Sequence, residues 1–348
     1  MGERLVQRYK KRLTASLIRS EKMEKVPITE KGTAVETPIK KRETAIRTWA
    51  KSYWKHKYLF LMFLPCIIYF LVFNYGPMYG IILAFKDYKF IDGVLGSAWN
   101  GLDNFRELFS GRDFPLAFRN TVIISFYKLV FGFPAPIILA ILLNEIRHML
   151  YKRFIQTLSY LPHFFSWVVL AGIFMEVFSP TRGIVNYIIT SLGGSEIFFF
   201  ADPNWFRSLL VGTGIWQSVG WGSIIYLATL SGIDPQLYEA ATVDGANRWQ
   251  QIRKITLPSL LPVISIMFIF AIGDIINDDF DQIFNFYNPA VYEVSDVLST
   301  YTYRLGIGNM EYGLATAAGL FTNVLAFTLI ILTNIIVKRT SGSEYGIW

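Results

Sequence analysis

The polar residues whose spacing suggests chemistry lie in one stretch, residues 239–258, with the sequence EAATVDGANRWQQIRKITLP. This stretch holds two acids, three bases and three amide side chains, and long apolar runs flank it on both sides. The carboxylates of Glu239 and Asp244 can form charge-assisted hydrogen bonds with an Arg or Lys of another protein. Small residues at 240, 241, 245 and 246 let another backbone approach closely. The pattern predicts a docking element; the competing interpretation is an ordinary loop with helical content.

Residues suited to metal, disulfide or nucleotide chemistry are few and scattered. Cys66 is the single cysteine, so the chain can form neither an internal disulfide nor a cluster of thiolates. The three histidines, His56, His148 and His163, do not show the spacing of metal ligands. No phosphate-binding glycine motif occurs. We therefore expect no catalytic residue, no metal site and no cofactor on this chain.

The composition indicates an integral membrane protein. Of 348 residues, 53% are hydrophobic and only 17% are charged, whereas soluble domains carry about 25% charged residues. The charges are concentrated in a few segments. Six mainly apolar segments are long enough to cross a hydrocarbon core of about 30 Å. They are residues 58–85, 121–143, 155–178, 208–233, 259–277 and 312–337. The fold class predicted is an all-α membrane protein with six transmembrane helices.

The distribution of basic residues predicts the orientation of these spans. If the N-terminus is cytoplasmic, the inner segments are residues 1–57, 144–154, 234–258 and 338–348, and they hold 24 of the 33 Lys and Arg. The outer segment 278–311 instead carries six acids against Arg304 alone. Both termini are therefore predicted to be cytoplasmic, and the stretch 239–258 faces the cytoplasm between spans four and five.

The N-terminal region is predicted to be a tail followed by a membrane-surface segment. Residues 1–57 hold 16 Lys and Arg against 6 acids, which suits a basic cytoplasmic tail better than a nucleic-acid-binding arm. Residues 1–45 are expected to be largely flexible. In residues 46–57, Trp49, Tyr53 and Trp54 recur at helical spacing among basic residues, which favours an amphipathic helix in contact with lipid. The alternative is a solvated basic run.

Two ionisable residues fall within the predicted spans. A Lys at the centre of a membrane helix costs about 2.5–3.5 kcal/mol on insertion scales, and Lys128 lies inside span two. It either lines the translocation pathway or extends its amine to the outer face. Asp274 in span five presents the same two alternatives. Span four carries Trp216, Gln217 and Trp221, whose aromatic faces and amide group could contact a polar solute, or could simply pack. These five residues are the candidate pathway residues.

Turn signals predict the local structure of the polar stretch. Asp234 followed by Pro235 begins a helix, because Asp caps free N–H groups and Pro suits the first turn. Gly245 interrupts it, and a second short helix follows. Leu257 followed by Pro258 is expected to close that element, since a residue before Pro is disfavoured in helical geometry. The prediction is a rigid helix–turn–helix clamped at the mouth of span five.

The spacing of these residues resembles the EAA motif of bacterial ABC importer permeases, in the form found in the carbohydrate branch. The matching positions are Glu239, Ala240, Ala241, Asp244, Gly245, Ile255, Leu257 and Pro258. Residues 75–90 (YGPMYGIILAFKDYKF), 95–105 and 280–292 (FDQIFNFYNPAVY) are similar to the polysaccharide and complex-oligosaccharide type. The resemblance covers residues 50–348.

The resemblance implies that the stretch is a coupling helix that docks on a separate ATPase, which alone would bind ATP and Mg²⁺. Glu239 would pair with a basic residue of that ATPase, Ala240 and Ala241 would allow docking, and Gly245 would provide the turn. The assembly would contain a second permease subunit, giving a heterodimer, with two ATPase subunits and an extracytoplasmic solute-binding protein. Residues 58–340 would form the permease domain, with a coupling loop at 234–258 and a short tail at 341–348.

Two other classes of function compete with an importer of oligosaccharides in the bacterial cell membrane. An ion-gradient-driven secondary transporter of a polar solute would carry an internal inverted repeat, which the sequence does not show. A membrane-embedded enzyme would need clustered acids or histidines at the interface. Only Asp278, Asp279 and Asp281 are candidates for such a cluster, and solvated acids of an outer loop are the preferred interpretation.

Overall fold

The computed structural model describes residues 56–274 and 280–341. The N-terminal tail, the interfacial segment up to residue 55, residues 275–279 with Asp278 and Asp279, and residues 342–348 lie outside the described residues, so the predictions made for them stay predictions. The chain divides into two compact units, residues 1–70 and residues 71–348. The described part of the first unit consists mainly of one helix, α1 (Lys57–Phe70).

Within the described residues, the second unit is almost entirely helical, as predicted. Its α-helices are α2 (Gly76–Met78), α3 (Gly93–Gly96), α4 (Asp103–Ser110), α5 (Asp113–Tyr127), α6 (Pro134–Glu145), α7 (Met149–Tyr160), α8 (Trp167–Val177), α9 (Ile184–Ser191), α10 (Pro203–Ser231), α11 (Pro235–Val243), α12 (Arg248–Gln251), α13 (Leu257–Asp274), α14 (Phe280–Phe286), α15 (Tyr292–Ser295), α16 (Leu298–Tyr303) and α17 (Tyr312–Ser341). Short 3₁₀ turns occupy Tyr79–Phe85, Leu161–Phe164 and Pro289–Val291. Two-residue strands, β1 (Lys86–Asp87) and β2 (Ala98–Trp99), pair antiparallel.

Four helical runs in the described part of the chain are long and apolar enough to cross a membrane. They are Lys57–Phe85, Asp113–Glu145, Arg248–Asp274 and Tyr312–Arg339. A bent pair, α7 with its 3₁₀ turn and α8, makes a fifth if it counts as one span. Helix α10 has 29 residues and is long enough, but glycines, Trp216 and Gln217 lower its hydropathy. These elements occupy the positions of the six predicted spans.

The third predicted span is not one straight helix. Between its two halves, Met149–Phe164 and Trp167–Val177, the helix axis bends by 107°. Phe165 and Ser166 between them are extended, with ψ angles of 138° and 151°. Pro162 lies in the preceding 3₁₀ turn, where its ring and missing N–H weaken the continuation of the helix. The prediction of a continuous helix over residues 155–178 is therefore wrong in detail.

Three π-helical turns each end two residues before a proline. Leu71–Tyr75 precedes Pro77, Lys128–Gly132 precedes Pro134, and Ile252–Thr256 precedes Pro258. A widened turn leaves room for the pyrrolidine ring and accommodates the backbone carbonyl that loses its N–H donor. The prediction that Leu257 and Pro258 close the polar element is consequently wrong. Leu257 keeps helical angles, φ −66° and ψ −44°, and the helix continues into α13.

Helix α10 lies at the centre of the second unit's packing. Its Tyr226 and Leu230 join a buried cluster with Ile137 of α6 and Leu260 of α13. Near its other end, Phe206 joins a second cluster that includes Ile283 and Phe286 of α14. A third cluster packs α17 against α5 and α16, using Phe114, Leu298 and Ala318 among others. Helix α10, which carries Trp216, Gln217 and Trp221, is therefore packed at both ends against other helices.

Candidate functional site

The stretch 234–258 forms the helix–turn–helix that the sequence predicts, referred to below as the coupling hairpin. Asp234 caps α11 by accepting a hydrogen bond of 2.9 Å from the backbone N–H of Gln236. Gly245 ends the first arm with φ +80°, a left-handed conformation that glycine adopts without steric cost. The backbone N–H of Ala246 donates to the carbonyl of Ala241 at 2.9 Å and completes the turn.

Side chains also cap the N-terminus of the second arm, α12. The Asn247 side chain accepts from the backbone N–H of Gln250 at 2.9 Å, and the Gln250 side chain accepts from the backbone N–H of Asn247 at 2.8 Å. This reciprocal capping box satisfies two N–H groups that would otherwise lack partners. Both arms of the coupling hairpin therefore begin at defined residues.

Buried polar side chains fasten the two arms to each other. Gln251 is buried and donates to the hydroxyl of Thr242 at 3.0 Å and to the carbonyl of Ala246 at 3.2 Å. The hydroxyls of Tyr238 and Thr256 are hydrogen-bonded at 3.0 Å. Since a buried amide left without partners costs about 1–3 kcal/mol, these contacts define one arrangement of the arms. The coupling hairpin is a rigid projection at the start of α13.

The outward face of the coupling hairpin combines apolar and acidic side chains. Val243 is 88% exposed and Trp249 is 70% exposed, which is unusual for residues so apolar. Glu239 and Asp244 are exposed as well, and neither carboxylate forms a salt bridge with a described residue. This face has what a docking surface needs: apolar area to bury and charges able to pair with a partner.

The other residues of the motif divide between this face and the base of span five. Ala240 and Gly245 are exposed and Ala241 is half-buried. Ile255 lies half-buried in the π turn, and Leu257 and Pro258 are exposed at the start of α13. The motif therefore runs from the tip of the hairpin to the first turn of the span. That placement would let a push on the tip reach the span.

Lys128, the first candidate pathway residue, donates to a buried side chain that the sequence analysis did not single out. Its Nζ lies 3.1 Å from Oε1 of Gln282, a residue with no exposed surface. The amide nitrogen of Gln282 donates to the carbonyl of Leu210 at 2.7 Å and to the hydroxyl of Thr213 at 3.0 Å. Gln282 therefore links α14 to spans two and four. The Lys128 side chain extends towards this buried residue.

The aromatic candidates in span four have separate neighbours. Trp216 packs edge-on against Phe174, with ring centroids 5.4 Å apart, beside an open groove of about 450 Å³ lined mostly by apolar side chains. Trp221 stacks on His163, with centroids 4.7 Å apart and rings inclined by 7°. Each tryptophan keeps about half of its surface exposed. One face of Trp221 is therefore covered by His163, and Phe164 meets its ring at 83° with centroids 5.7 Å apart.

Gln217 is half-buried, and Asp274 is exposed at the last described residue of span five. Three of the five candidate pathway residues contact different side chains: Lys128 contacts Gln282, Trp216 contacts Phe174, and Trp221 contacts His163. Their role in the pathway stays a prediction.

Hydrogen bonds missed by the sequence analysis stabilise the segment 280–308 internally. Asp296 is buried and forms a bidentate salt bridge with Arg304, with N–O distances of 3.0 and 2.6 Å. Hydrogen bonding to this carboxylate raises the pKa of Arg304 above its usual value. Thr300 donates to the same carboxylate at 2.8 Å. The sequence does contain a signal for this ion pair, because Arg304 is the single basic residue among the six acids of residues 278–311.

The same segment is held by an amide and a guanidinium from the spans. Asn120 of α5 donates to the carbonyls of Glu293 and Asp296 at 3.0 Å each. Arg207 of α10 donates to Asn120 at 2.7 Å and to the carbonyl of Val294 at 3.2 Å. These partners lie up to 176 residues apart, so their meeting could not be read from local spacing.

Comparison with known proteins identifies the class of transport system. The family described as "Binding-protein-dependent transport system inner membrane component" matches residues 132–342. Protein LplB of Bacillus subtilis is 40% identical over 88% of this chain and 98% of its own length. The polygalacturonan/rhamnogalacturonan transport system permease protein YteP of the same bacterium is 41% identical over 90% and 97% of the two chains.

A solved structure shows the same fold. The crystal structure of a bacterial ABC transporter involved in the import of the acidic polysaccharide alginate superposes with a TM-score of 0.79, at 41% identity, over 84% of this chain and 99% of the other. A second structure of such a transporter, in complex with an alginate pentasaccharide-bound periplasmic protein, gives a TM-score of 0.77 over 83% and 96% of the two chains. The chain described here belongs to the family of inner membrane components of binding-protein-dependent transport systems and is a permease of the ABC importer type, not an enzyme.

Proposed function

We propose that this chain is one of two membrane subunits of an importer that carries oligosaccharides derived from polysaccharides into the bacterial cytoplasm. The observation that carries the proposal is the coupling hairpin, a rigid projection whose exposed face is apolar and acidic. Relatives support the substrate class, because one is named for the transport of polygalacturonan and another is involved in the import of alginate. An ion-gradient-driven transporter would have no use for such a projection.

The proposed energy source is a separate ATPase that docks on the coupling hairpin and holds the ATP and Mg²⁺. Glu239 would pair with a basic side chain of the ATPase, and the exposed Val243 and Trp249 would be buried against it. Because hydrogen bonds hold the two arms of the hairpin together, closure of the ATPases would displace it as a unit. The helix then continues unbroken into span five, so the displacement would reach the membrane.

The proposed assembly is a heterodimer of this chain with a second permease, two ATPases and an extracytoplasmic binding protein. Both termini would be cytoplasmic, as the basic residues indicate. The oligosaccharide would pass from the binding protein to a pathway between the permeases.

Replacing Glu239 by Ala tests the coupling role. A hydrogen bond to a charged group contributes about 1.5–3 kcal/mol, so we expect uptake to fall about tenfold or more while the two permeases still assemble. Gly245→Pro should be more severe, because Gly245 has φ +80° and its N–H donates to the Thr242 carbonyl at 3.1 Å. The measurements are co-purification of the ATPase and its stimulation by substrate in the reconstituted transporter.

Glu107→Ala provides the matched control, since this exposed carboxylate lies in α4, on the predicted outer side. It should leave ATPase association and stimulation unchanged. Normal association and stimulation in both hairpin variants would remove the main support for the coupling role. The substrate class is tested separately by uptake of labelled oligogalacturonate, alginate oligosaccharide and neutral arabino-oligosaccharide in a strain lacking this chain, with and without the chain restored.

A further inference from the structure

An exposed group of apolar side chains lies beyond the ends of spans one and six, on the predicted outer side. Phe90, Ile91 and Leu95 belong to the segment after span one, and Met310 lies two residues before the start of α17. Ile91 is 96% exposed, and the other three are more than two-thirds exposed. These four residues are called the apolar outer patch. Apolar residues grouped in this way on a surface are typical of an interaction site.

A shared groove joins the two parts of the apolar outer patch. Phe90 and Met310 both line a groove of about 300 Å³, together with Tyr88 and Tyr312. The two tyrosine rings meet edge-on with centroids 5.6 Å apart and form part of its lining. Residues more than 200 positions apart in the chain therefore form one continuous surface.

The exposure of the patch is built into the local fold. Lys86 is buried, and its amine donates to the carbonyls of Val94 and Leu95 at 2.7 and 3.2 Å. The hydroxyl of Ser97 donates to the carbonyl of Gly93 at 2.6 Å and accepts from the backbone N–H of Lys89 at 3.1 Å. These contacts fix the backbone beneath Phe90, Ile91 and Leu95, so the apolar side chains are presented to the outside.

The backbone at Met310 is strained. Its φ of +60° makes it the one non-glycine residue with a positive φ in the described part of the chain. Hydrogen bonds on both sides hold the conformation: Asn309 donates to the Arg304 carbonyl and Glu311 to the Leu305 carbonyl, each at 2.9 Å. Strain that the surrounding structure maintains at an exposed residue is characteristic of a functional surface.

The charges around the patch favour a protein over lipid as its occupant. Asp87, Lys89 and Asp92 alternate with the apolar residues, and Glu311 adjoins Met310; all four are exposed. Insertion of Ile91 into hydrocarbon would bring the adjacent Asp92 carboxylate out of water, which is unfavourable. Asp87 is paired with Lys89 at 3.7 Å, but a protein surface can bury the apolar side chains and pair its own Lys or Arg with the carboxylates of Asp92 and Glu311.

We infer that the apolar outer patch is a docking surface for the extracytoplasmic solute-binding protein, which meets it with apolar side chains rimmed by Lys or Arg. This inference rests on the proposed function and on the predicted orientation. A related transporter has been crystallised with its periplasmic protein, so a permease of this fold does take such a partner. The inference adds which residues of this chain would make the contact.

The test is Ile91→Asp in the complete reconstituted transporter. The side chain is almost fully exposed, so folding should be unaffected. ATPase activity is titrated with the purified binding protein encoded with this chain, loaded with the oligosaccharide identified by uptake. We expect the binding-protein concentration for half-maximal stimulation to rise at least tenfold, with basal ATPase activity unchanged. Leu192→Asp is the matched control, being 83% exposed on the same predicted side but outside the patch.

Three results would overturn the inference. An unchanged half-stimulating concentration in Ile91→Asp would remove the patch from the docking surface. An equal rise in Leu192→Asp would show a general effect of added negative charge. A loss of thermal stability that depends on the lipid composition of the nanodisc, with unchanged stimulation, would make the patch a lipid contact. A wild-type transporter that no binding protein stimulates would instead overturn the proposed function.

Discussion

At the scale of single residues, Lys128 illustrates how a charge is accommodated within a span. Its amine donates to Gln282, which itself donates to Leu210 and Thr213 of span four. Intramembrane ionisable residues are expensive, and they commonly line pathways or contact other polar groups. The hydrogen bond to Gln282 is compatible with either role.

The role of Lys128 can be separated from its packing by Lys128→Leu. If the amine lines the pathway, we expect uptake of the cognate oligosaccharide to fall about tenfold, as for loss of a charge-assisted contact of about 1.4 kcal/mol. Insertion into the membrane should be intact or improved, since Leu is favourable there. The measurement is initial uptake rate normalised to the amount of protein in the membrane.

Val130→Leu serves as the control for introducing a Leu side chain in the same π turn, where Val130 is exposed. It should transport normally. Unchanged uptake kinetics in Lys128→Leu would show that the amine has no part in the pathway.

At the scale of elements, the contact between α7 and α10 depends on one glycine. A Cβ at Gly220 would lie 2.0 Å from the carbonyl oxygen of Ser159, far inside contact distance. Such close approach of two helices requires a residue without a side chain. Because the obstacle is backbone, a larger residue could be admitted only by moving α7, which ends at the 107° bend of span three.

Gly220→Ala should therefore destabilise the protein, even though Ala is the better helix former. We expect a cost of about 1–3 kcal/mol from overpacking, seen as a lower unfolding temperature in detergent. Gly212→Ala in the same helix is the control, because a Cβ there meets nothing within 4 Å; it should be neutral or slightly stabilising. Equal unfolding temperatures for the two variants would show that α7 and α10 can separate without cost.

The elements also show which features the sequence could predict. Apolar runs gave the positions of the spans, and Asp234, Gly245 and Asn247 carry local signals that account for the coupling hairpin. The bend at Ser166 and the π turns before prolines did not follow from hydropathy, which is the same for straight and broken helices. Gln282 was missed because its partners lie 69 to 154 residues away and only the packed bundle brings them together.

At the scale of the whole molecule, orientation follows from charge and not from fold. The same helices could pack identically with either end inside, so the placement of 24 of 33 Lys and Arg on one side carries the assignment. With the predicted orientation, the coupling hairpin would lie beside a cytoplasmic ATPase and the apolar outer patch beside a binding protein. Both proposals therefore depend on one measurable property of the chain.

Cysteine accessibility tests that property, and the structure determines where the probes belong. Cys66 is exposed and must first be replaced by Ser. Ser97, an outer-loop position by sequence, is unsuitable because it is only 4% exposed. Leu192→Cys and Val243→Cys place thiols at positions 83% and 88% exposed. We expect an impermeant maleimide to label Leu192→Cys in intact cells and Val243→Cys only after permeabilisation. The reason is that the distribution of basic residues predicts a cytoplasmic location for the hairpin. Labelling of Val243→Cys in intact cells would show that the chain has the opposite orientation, in which the hairpin could not contact a cytoplasmic ATPase.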